Sequence, residues 1–314
     1  MPADTIRLHS GTPVPPRLIE TVARWPGQHD LTPGWLHALP DTVADVCSRW
    51  EITLDLDIPD TFITLVLLGH SNRLGPVVIK SSPLADEFRA EATALGLAAS
   101  SNVARQYDVD LDRSVMVIER IVPGTQLKEV AMSDDDATRL AATTVATMWR
   151  PVPDPSQLVP LRHWMRALFN WSPRENWVAT DLIADAQVLA KELLDRSTRT
   201  SLLHGDFQHQ NLLRRESGDW AIIDPKGLYG DPGFEVAAWM YNPSGVVEQE
   251  DYLDVVRRRL EICSAIWGID QRDLIAWAYA GAVLSACWYP DDDAPGSLLR
   301  YFERGARQLR TLLP

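Results

Sequence analysis

The chain is poor in cysteine, with three in 314 residues, Cys47, Cys263 and Cys287, widely spaced and without a CxxC pair. A disulfide framework and a thiolate zinc site are therefore both excluded, and the three read as buried thiols. No apolar run approaches the ~18 residues of a membrane span. The opening stretch MPADTIRLHSGTPVPP lacks the charged and apolar blocks of a secretory leader, so a cytoplasmic protein with no membrane partner is expected. Basic charge is also scarce: 30 Lys and Arg face 43 Asp and Glu, a formal net charge of -13. Such a surface repels nucleic acid and is compatible with cationic small molecules. Neither an internal repeat nor a low-complexity segment is present.

What remains is ordinary globular composition, 46% hydrophobic and 23% charged, in a chain long enough for two lobes. The first forty residues, rich in Pro, Gly and Trp, predict a helical turn or two. From Trp50 the pattern becomes strand-like. ITLDLDI alternates, TFITLVLLG is β-branched and apolar, and the turn GHSNRLG leads into VVIK, predicting a three-strand meander. ADEFRAEATALGLAAS has helical periodicity, and YDVDLDRSVMVIER reads as two more strands. Beyond IVPG the character is helical. Ser133 and Asp136 make a capping box, and helices are expected near 161–170, 179–196, 247–267 and 271–288, with Gly268 and Pro290 as stops. The expected architecture is α+β, with an N-terminal lobe of antiparallel sheet plus helix over residues 1–120 and a mainly helical lobe over residues 121–314.

Chemistry concentrates in HGDFQHQN, residues 204–211, and in IIDPKGLYGDP, which follows a hairpin whose turn is ESGD. Phosphoryl transfer needs Mg2+ held against phosphates, an acceptor hydroxyl in line and a carboxylate to take its proton. Asp206 suits the base and Asn211 a metal ligand, at the five-residue offset of the protein kinase catalytic loop, and the hairpin returns Asp224 to the same ion. Carboxylate and amide oxygens suit a hard cation, whereas His204 and His209 would suit zinc only with a third ligand. His204 is expected to orient the loop through backbone or Asp224, and His209 to lie on the surface. The absence of DFG and APE sets the chain apart from protein kinases.

HGDFQHQN together with IDPKGLYGDPGFEVAAWMYNP resembles the aminoglycoside phosphotransferases, in particular the aminoglycoside and hydroxyurea resistance kinases that include streptomycin 6-kinase. The resemblance runs from about Trp50 to the last helix. It implies a protein-kinase-like fold and transfer of phosphate from ATP to a hydroxyl of a cationic, hydroxylated antibiotic, with Mg2+ as cofactor. By the same resemblance Lys80 holds the triphosphate, Glu87 or Glu91 fixes Lys80, with Glu91 favoured because AEATAL is similar to the family's segment, and backbone near Glu119 and Ile121 meets adenine. Asp231 would cap a helix. Glu235 would bind substrate or brace the catalytic loop. Trp239, Tyr241, Trp288, Tyr289 and the acidic run 291–293 are candidates for the acceptor side, with Trp239 and Trp288 named as binding residues, since cations favour aromatic faces. The sequence departs from the family in DIPDTF, residues 57–62, which has no glycine where bare backbone would best approach phosphate, and where Pro59 and Asp60 disfavour a tight grip. A kinase for an amino alcohol or sugar, or a nucleotide-binding protein without turnover, would share most of these features.

Overall fold

The computed structural model describes residues 6–24, 31–56, 58, 59, 61, 63–98, 100–172, 177–289 and 298–313. Pro290, Asp60 and the acidic run 291–293 lie outside the described residues.

Two helices, α1 (Pro16–Arg24) and α2 (Trp35–Trp50), precede the first strand. They are more extensive than the turn or two expected from the Pro- and Gly-rich sequence, and Pro40 lies inside α2. The meander follows as β1 (Ile52–Leu54), β2 (Leu65–Ser71) and β3 (Gly75–Ser81), then α3 (Ala85–Ala98), β4 (Gln106–Asp110) and β5 (Val115–Glu119). All five strands form one antiparallel sheet in the order β1-β2-β3-β5-β4.

Period-two alternation gives this sheet two different faces. Leu65, Leu67, Val77, Ile79, Val115 and Val117 pack on one side against Leu18, Trp35, Leu39 and Val43 of α1 and α2. On the other side Val78, Met116 and Ile118 join Phe88, Ala92 and Leu95 of α3 in the main core. Lys80 pairs with Met116 in register, so alternation turns its side chain to the α3 side.

After Glu119 the chain enters β6 (Pro123–Gln126) and α4 (Asp134–Ala146), whose first turn is capped by the Ser133 hydroxyl accepting from Asp136 N–H at 3.1 Å. Next come β7 (Val159–Pro160), the short helices α5 (Leu161–Trp164) and α6 (Arg166–Phe169), α7 (Thr180–Arg196) and β8 (Ser201–Leu203). The predicted hairpin is β9 (Leu212–Arg215) and β10 (Trp220–Ile222), followed by β11 (Leu228–Gly230) and α8 (Val236–Met240). The chain ends through α9 (Tyr252–Trp267), which stops at left-handed Gly268, then α10 (Gln271–Cys287) and α11 (Leu298–Arg310). Two three-stranded sheets, β10-β9-β6 and β7-β11-β8, carry the motif segments. α10 is buried continuously from Leu274 to Cys287 and packs on α7, α8, α9 and α11. Among the described residues no helix is long and apolar enough to cross a membrane.

Arg259 ties this lobe together from a fully buried position on α9. Its guanidinium donates to Asp134 at the start of α4, to the Trp239 carbonyl at 2.6 Å and to the Asn242 carbonyl at 2.7 Å. It also lies 5.6 Å from the Trp239 ring centre. Removing one partner of a buried ionic contact typically costs about 3–5 kcal/mol. Arg259→Met is therefore expected to lower stability by about that amount in chemical denaturation, and an unchanged midpoint would contradict the role assigned to it.

Candidate active site

The site forms where β8, the turn after β10 and α3 meet. Glycine makes the close approach possible at two points. Gly205 has φ +83°, and a Cβ there would strike Leu228. Gly227 has φ +63°, and a Cβ there would overlap the Ala90 carbonyl of α3. The motif segments thus seat directly on each other and on the helix that carries Glu91.

The catalytic loop is braced from below. The Glu235 carboxylate, 1% exposed, accepts the backbone N–H groups of His204 at 2.5 Å and Gly205 at 3.1 Å. Burial raises its pKa to about 7, against the stabilising pull of those two N–H groups. His204 uses both ring nitrogens: Nδ1 accepts from Asp206 N–H at 3.2 Å, so Nε2 carries the proton and donates to the Ile223 carbonyl at 2.9 Å. Burial lowers its pKa to about 4, which leaves a neutral ring that orients the loop and has no nitrogen for zinc. The Asn211 amide nitrogen donates to the Asp206 carbonyl at 2.9 Å. Its nitrogen end is committed, and its oxygen end is the one a cation can use. Asp231 caps the following turn by accepting from Gly233 N–H at 2.7 Å.

Lys80 meets two carboxylates. Its Nζ lies 2.5 Å from Glu91 Oε1 and in direct contact with Asp224 Oδ1, which settles the choice between Glu87 and Glu91. Burial opposes the lysine charge, but Glu91 and Asp224 outweigh it and hold the pKa above the ordinary value. Asp224 stands in the left-handed region at φ +61°, uncommon for a residue with a side chain, and its second oxygen receives Lys226 Nζ at 3.0 Å. Burial would raise its pKa, yet Lys80 and Lys226 hold it well below the usual carboxylate range. A carboxylate held in its ionised form by two lysines and an amide oxygen left uncommitted are the donor types of a magnesium site completed by phosphate and water, and by that chemistry Asp224 and Asn211 fit the ion. Asp206 differs: burial raises its pKa to about 6, with Lys226 opposing and Asp224 reinforcing.

Two cavities open on these groups. One, of about 310 Å³, lies between the lobes and is lined by Thr61, Thr64, Lys80, Glu91 and Asp224. The other, of about 410 Å³, has Asp206 and Gln208 on its wall with Tyr241, Trp288, Tyr289 and Phe302. Trp164 and Lys226 line both.

Glu119 lies on the sheet face opposite Lys80; its carboxylate accepts from Arg215 at 2.9 Å and Arg105 N–H at 3.1 Å, and its own N–H donates to the Arg105 carbonyl at 2.7 Å. The N–H is thus already in use, which removes it from the groups offered to adenine. The Ile121 side chain packs with Ala104 and Ala221. Trp239, expected on the acceptor side, is instead buried: its ring stacks on His209 at 3.8 Å and its Nε1 donates to Thr138. His209, expected on the surface, is 5% exposed beneath that ring, and burial lowers its pKa to about 3. Glu235 has no place on the acceptor wall and braces the loop. Trp288 does reach the wall, edge-on to Trp164 at 5.3 Å. Lys226 was passed over in the sequence, although a cation two residues from Asp224 was a usable signal. Tyr301 and Phe302 came with the unpredicted α11.

The sequence profile of the aminoglycoside/hydroxyurea antibiotic resistance kinases matches residues 49–293. The chain belongs to that family. It is a small-molecule kinase. It is 29% identical to a streptomycin 6-kinase of Streptomyces glaucescens, over 89% of this chain and 91% of that one. It is 28% identical to a streptomycin 3''-kinase of Klebsiella pneumoniae, over 78% and 91%. Among solved structures, a choline kinase from Streptococcus pneumoniae superposes with TM-score 0.60 at 15% identity, covering 88% of this chain and 99% of that one. An aminoglycoside phosphotransferase bound to ADP and hygromycin B gives 0.57 at 14%, covering 85% and 97%. At such identities the likeness is one of fold, the two-lobed α+β architecture of protein kinases.

Glu235→Ala would leave two buried N–H groups without a partner. A stability loss of about 2–4 kcal/mol is expected, with acceptor KM little changed in whatever folds. A large rise in KM at full stability would return Glu235 to the binding site.

Proposed function

We propose that this kinase moves the γ-phosphoryl group of ATP to a hydroxyl of a streptomycin-like aminoglycoside and so confers resistance to it. Residues 1–120 form the nucleotide lobe and 121–314 the catalytic and acceptor lobe. The observation that carries the proposal is the meeting of Lys80, Glu91 and Asp224, from three separate elements, at the mouth of the cavity between the lobes, beside the Asp206 loop. The kinship with streptomycin kinases over most of both chains supports the acceptor class.

Asn211 and Asp224 would hold Mg2+, which supplies positive charge to the phosphates. Lys80, fixed by Glu91, binds the triphosphate from the sheet side. Backbone around Glu119 and Ile121 borders adenine through the groups not already bonded. Asp206 accepts the proton of the attacking hydroxyl, and the aromatic wall with Trp288 offers faces to guanidinium or ammonium groups of the acceptor. Thr61 of the glycine-free loop and Thr64 just after it line the nucleotide side and present side chains where a glycine would leave bare backbone.

Asp206→Asn removes the proton acceptor. Turnover should fall by roughly 100- to 10,000-fold while ATP affinity, measured by calorimetry, changes little. An unchanged rate would take Asp206 out of the chemistry. A panel of streptomycin, other aminoglycosides, hydroxyurea and choline, read by ADP formation, tests the acceptor; turnover on choline alone would overturn the antibiotic assignment.

The base must be ionised to act. Since Asp206 has a pKa of about 6 in the folded protein, kcat/KM should fall as pH drops through about 6, about two units above an ordinary aspartate. An acid limb near pH 4 would contradict this.

A further inference from the structure

We propose that Lys226 is a further catalytic residue, its ammonium contacting the γ-phosphoryl group as that group crosses from nucleotide to acceptor; the inference rests on the kinase chemistry proposed above. Lys226 lines both the cavity between the lobes and the acceptor cavity, a position it shares with Trp164 alone among the described lining residues. A group passing between the two spaces passes its side chain.

Lys226 is also firmly placed. Its backbone N–H donates to the His204 carbonyl at 2.7 Å, which fixes it to the catalytic loop, and the next residue, Gly227, abuts Ala90 of α3. Its Nζ spends one donor on Asp224 Oδ2 at 3.0 Å. An ammonium has three donors, so others remain for phosphate oxygens. The other basic groups nearby are less available. Lys80 is held between Glu91 and Asp224. The catalytic loop between Asp206 and Asn211 reads Phe-Gln-His-Gln, and its His209 is buried under Trp239. Lys226 therefore supplies from the turn after β10 the positive charge that the loop itself does not contain.

In the step, the bond from the γ-phosphorus to the β,γ-bridging oxygen breaks and its electron pair stays on ADP. The acceptor oxygen bonds to the phosphorus and its proton passes to Asp206. Lys226 exchanges no proton in this step, an ammonium being the ordinary form of a lysine at neutral pH. It acts as a fixed charge on oxygens whose negative charge is being redistributed.

A purely structural Lys226 would serve only to neutralise Asp224, and nucleotide binding tells the two roles apart. Calorimetry with Mg2+ is run on the unmodified protein, Lys226→Met and Lys226→Arg, using ADP and an ATP analogue whose β,γ-bridge cannot be cleaved. The expected result for Lys226→Met is ADP affinity like that of the unmodified protein, analogue affinity weaker by roughly tenfold or more, and kcat lower by roughly 100- to 1,000-fold, with Lys226→Arg recovering part of each loss. Retained ADP binding also shows that the variant is folded. If the ratio of analogue to ADP affinity is the same in Lys226→Met as in the unmodified protein, the γ-phosphoryl contact is overturned. If the unmodified protein binds neither nucleotide, the ATP-dependent reading falls with it.

Discussion

A single lysine joins the two halves of the site. Lys80 comes from the sheet, Glu91 from α3, and Asp224 from the turn after β10, 144 residues further along. Each is costly to bury alone, because low-dielectric surroundings penalise an unpaired charge heavily. Together they are mutually compensated, and removing Lys80 would leave Glu91 without its cation and Asp224 with Lys226 alone. The backbone around them is correspondingly constrained. Asp224 adopts a left-handed conformation, Gly227 lies against Ala90, and Lys226 N–H is tied to His204. Orientation of the Asp224 carboxylate, of α3 and of the Asp206 loop thus follows from one charge requirement.

That requirement also divides labour among carboxylates of similar intrinsic acidity. Asp224 touches two lysines and stays ionised. Asp206 touches none directly; it accepts from Gln208 at 3.2 Å and is raised by burial. Glu235, deeper still, accepts two backbone N–H groups. One is suited to a cation, one to a proton, and one to holding a loop, and the difference comes from neighbours and not from residue type.

The meander and the two later strands, α3, the Ser133 cap and the β9-β10 hairpin were legible because each rests on local periodicity or turn chemistry. The spacing also encodes the turn that the Asn211 amide closes onto the Asp206 carbonyl and the hairpin that leads on to Asp224. Burial set by distant partners was not legible. His209 sits between two glutamines and reads as a surface residue, yet it is covered by Trp239, thirty positions later in sequence. Trp239 lies on a helix buried from Val236 to Met240, so no polar face marks which way its ring points. The two N-terminal helices were obscured by Pro and Gly, whose local penalties are overcome by packing on the outer sheet face.

α11 was missed for a different reason, since its signal was present. Leu299, Phe302, Ala306 and Leu309 recur at helical spacing amid four arginines between 298 and 310, an amphipathic stripe of the kind that covers a core. Its consequence reaches the site. Tyr301 donates to the Tyr241 carbonyl at 2.7 Å, and Phe302 packs edge-on to Tyr241 at 5.0 Å and stacks on Tyr289. The acceptor wall is therefore assembled from the end of α8, the end of α10 and a helix closing over both. The charged cluster is encoded in short motifs, VVIK, AEATAL and IIDPKG, each recognisable on its own although they lie far apart in sequence. The aromatic wall depends on side chains brought together only by the packing of three helices, so the charged cluster is easier to read from sequence than the wall beyond it.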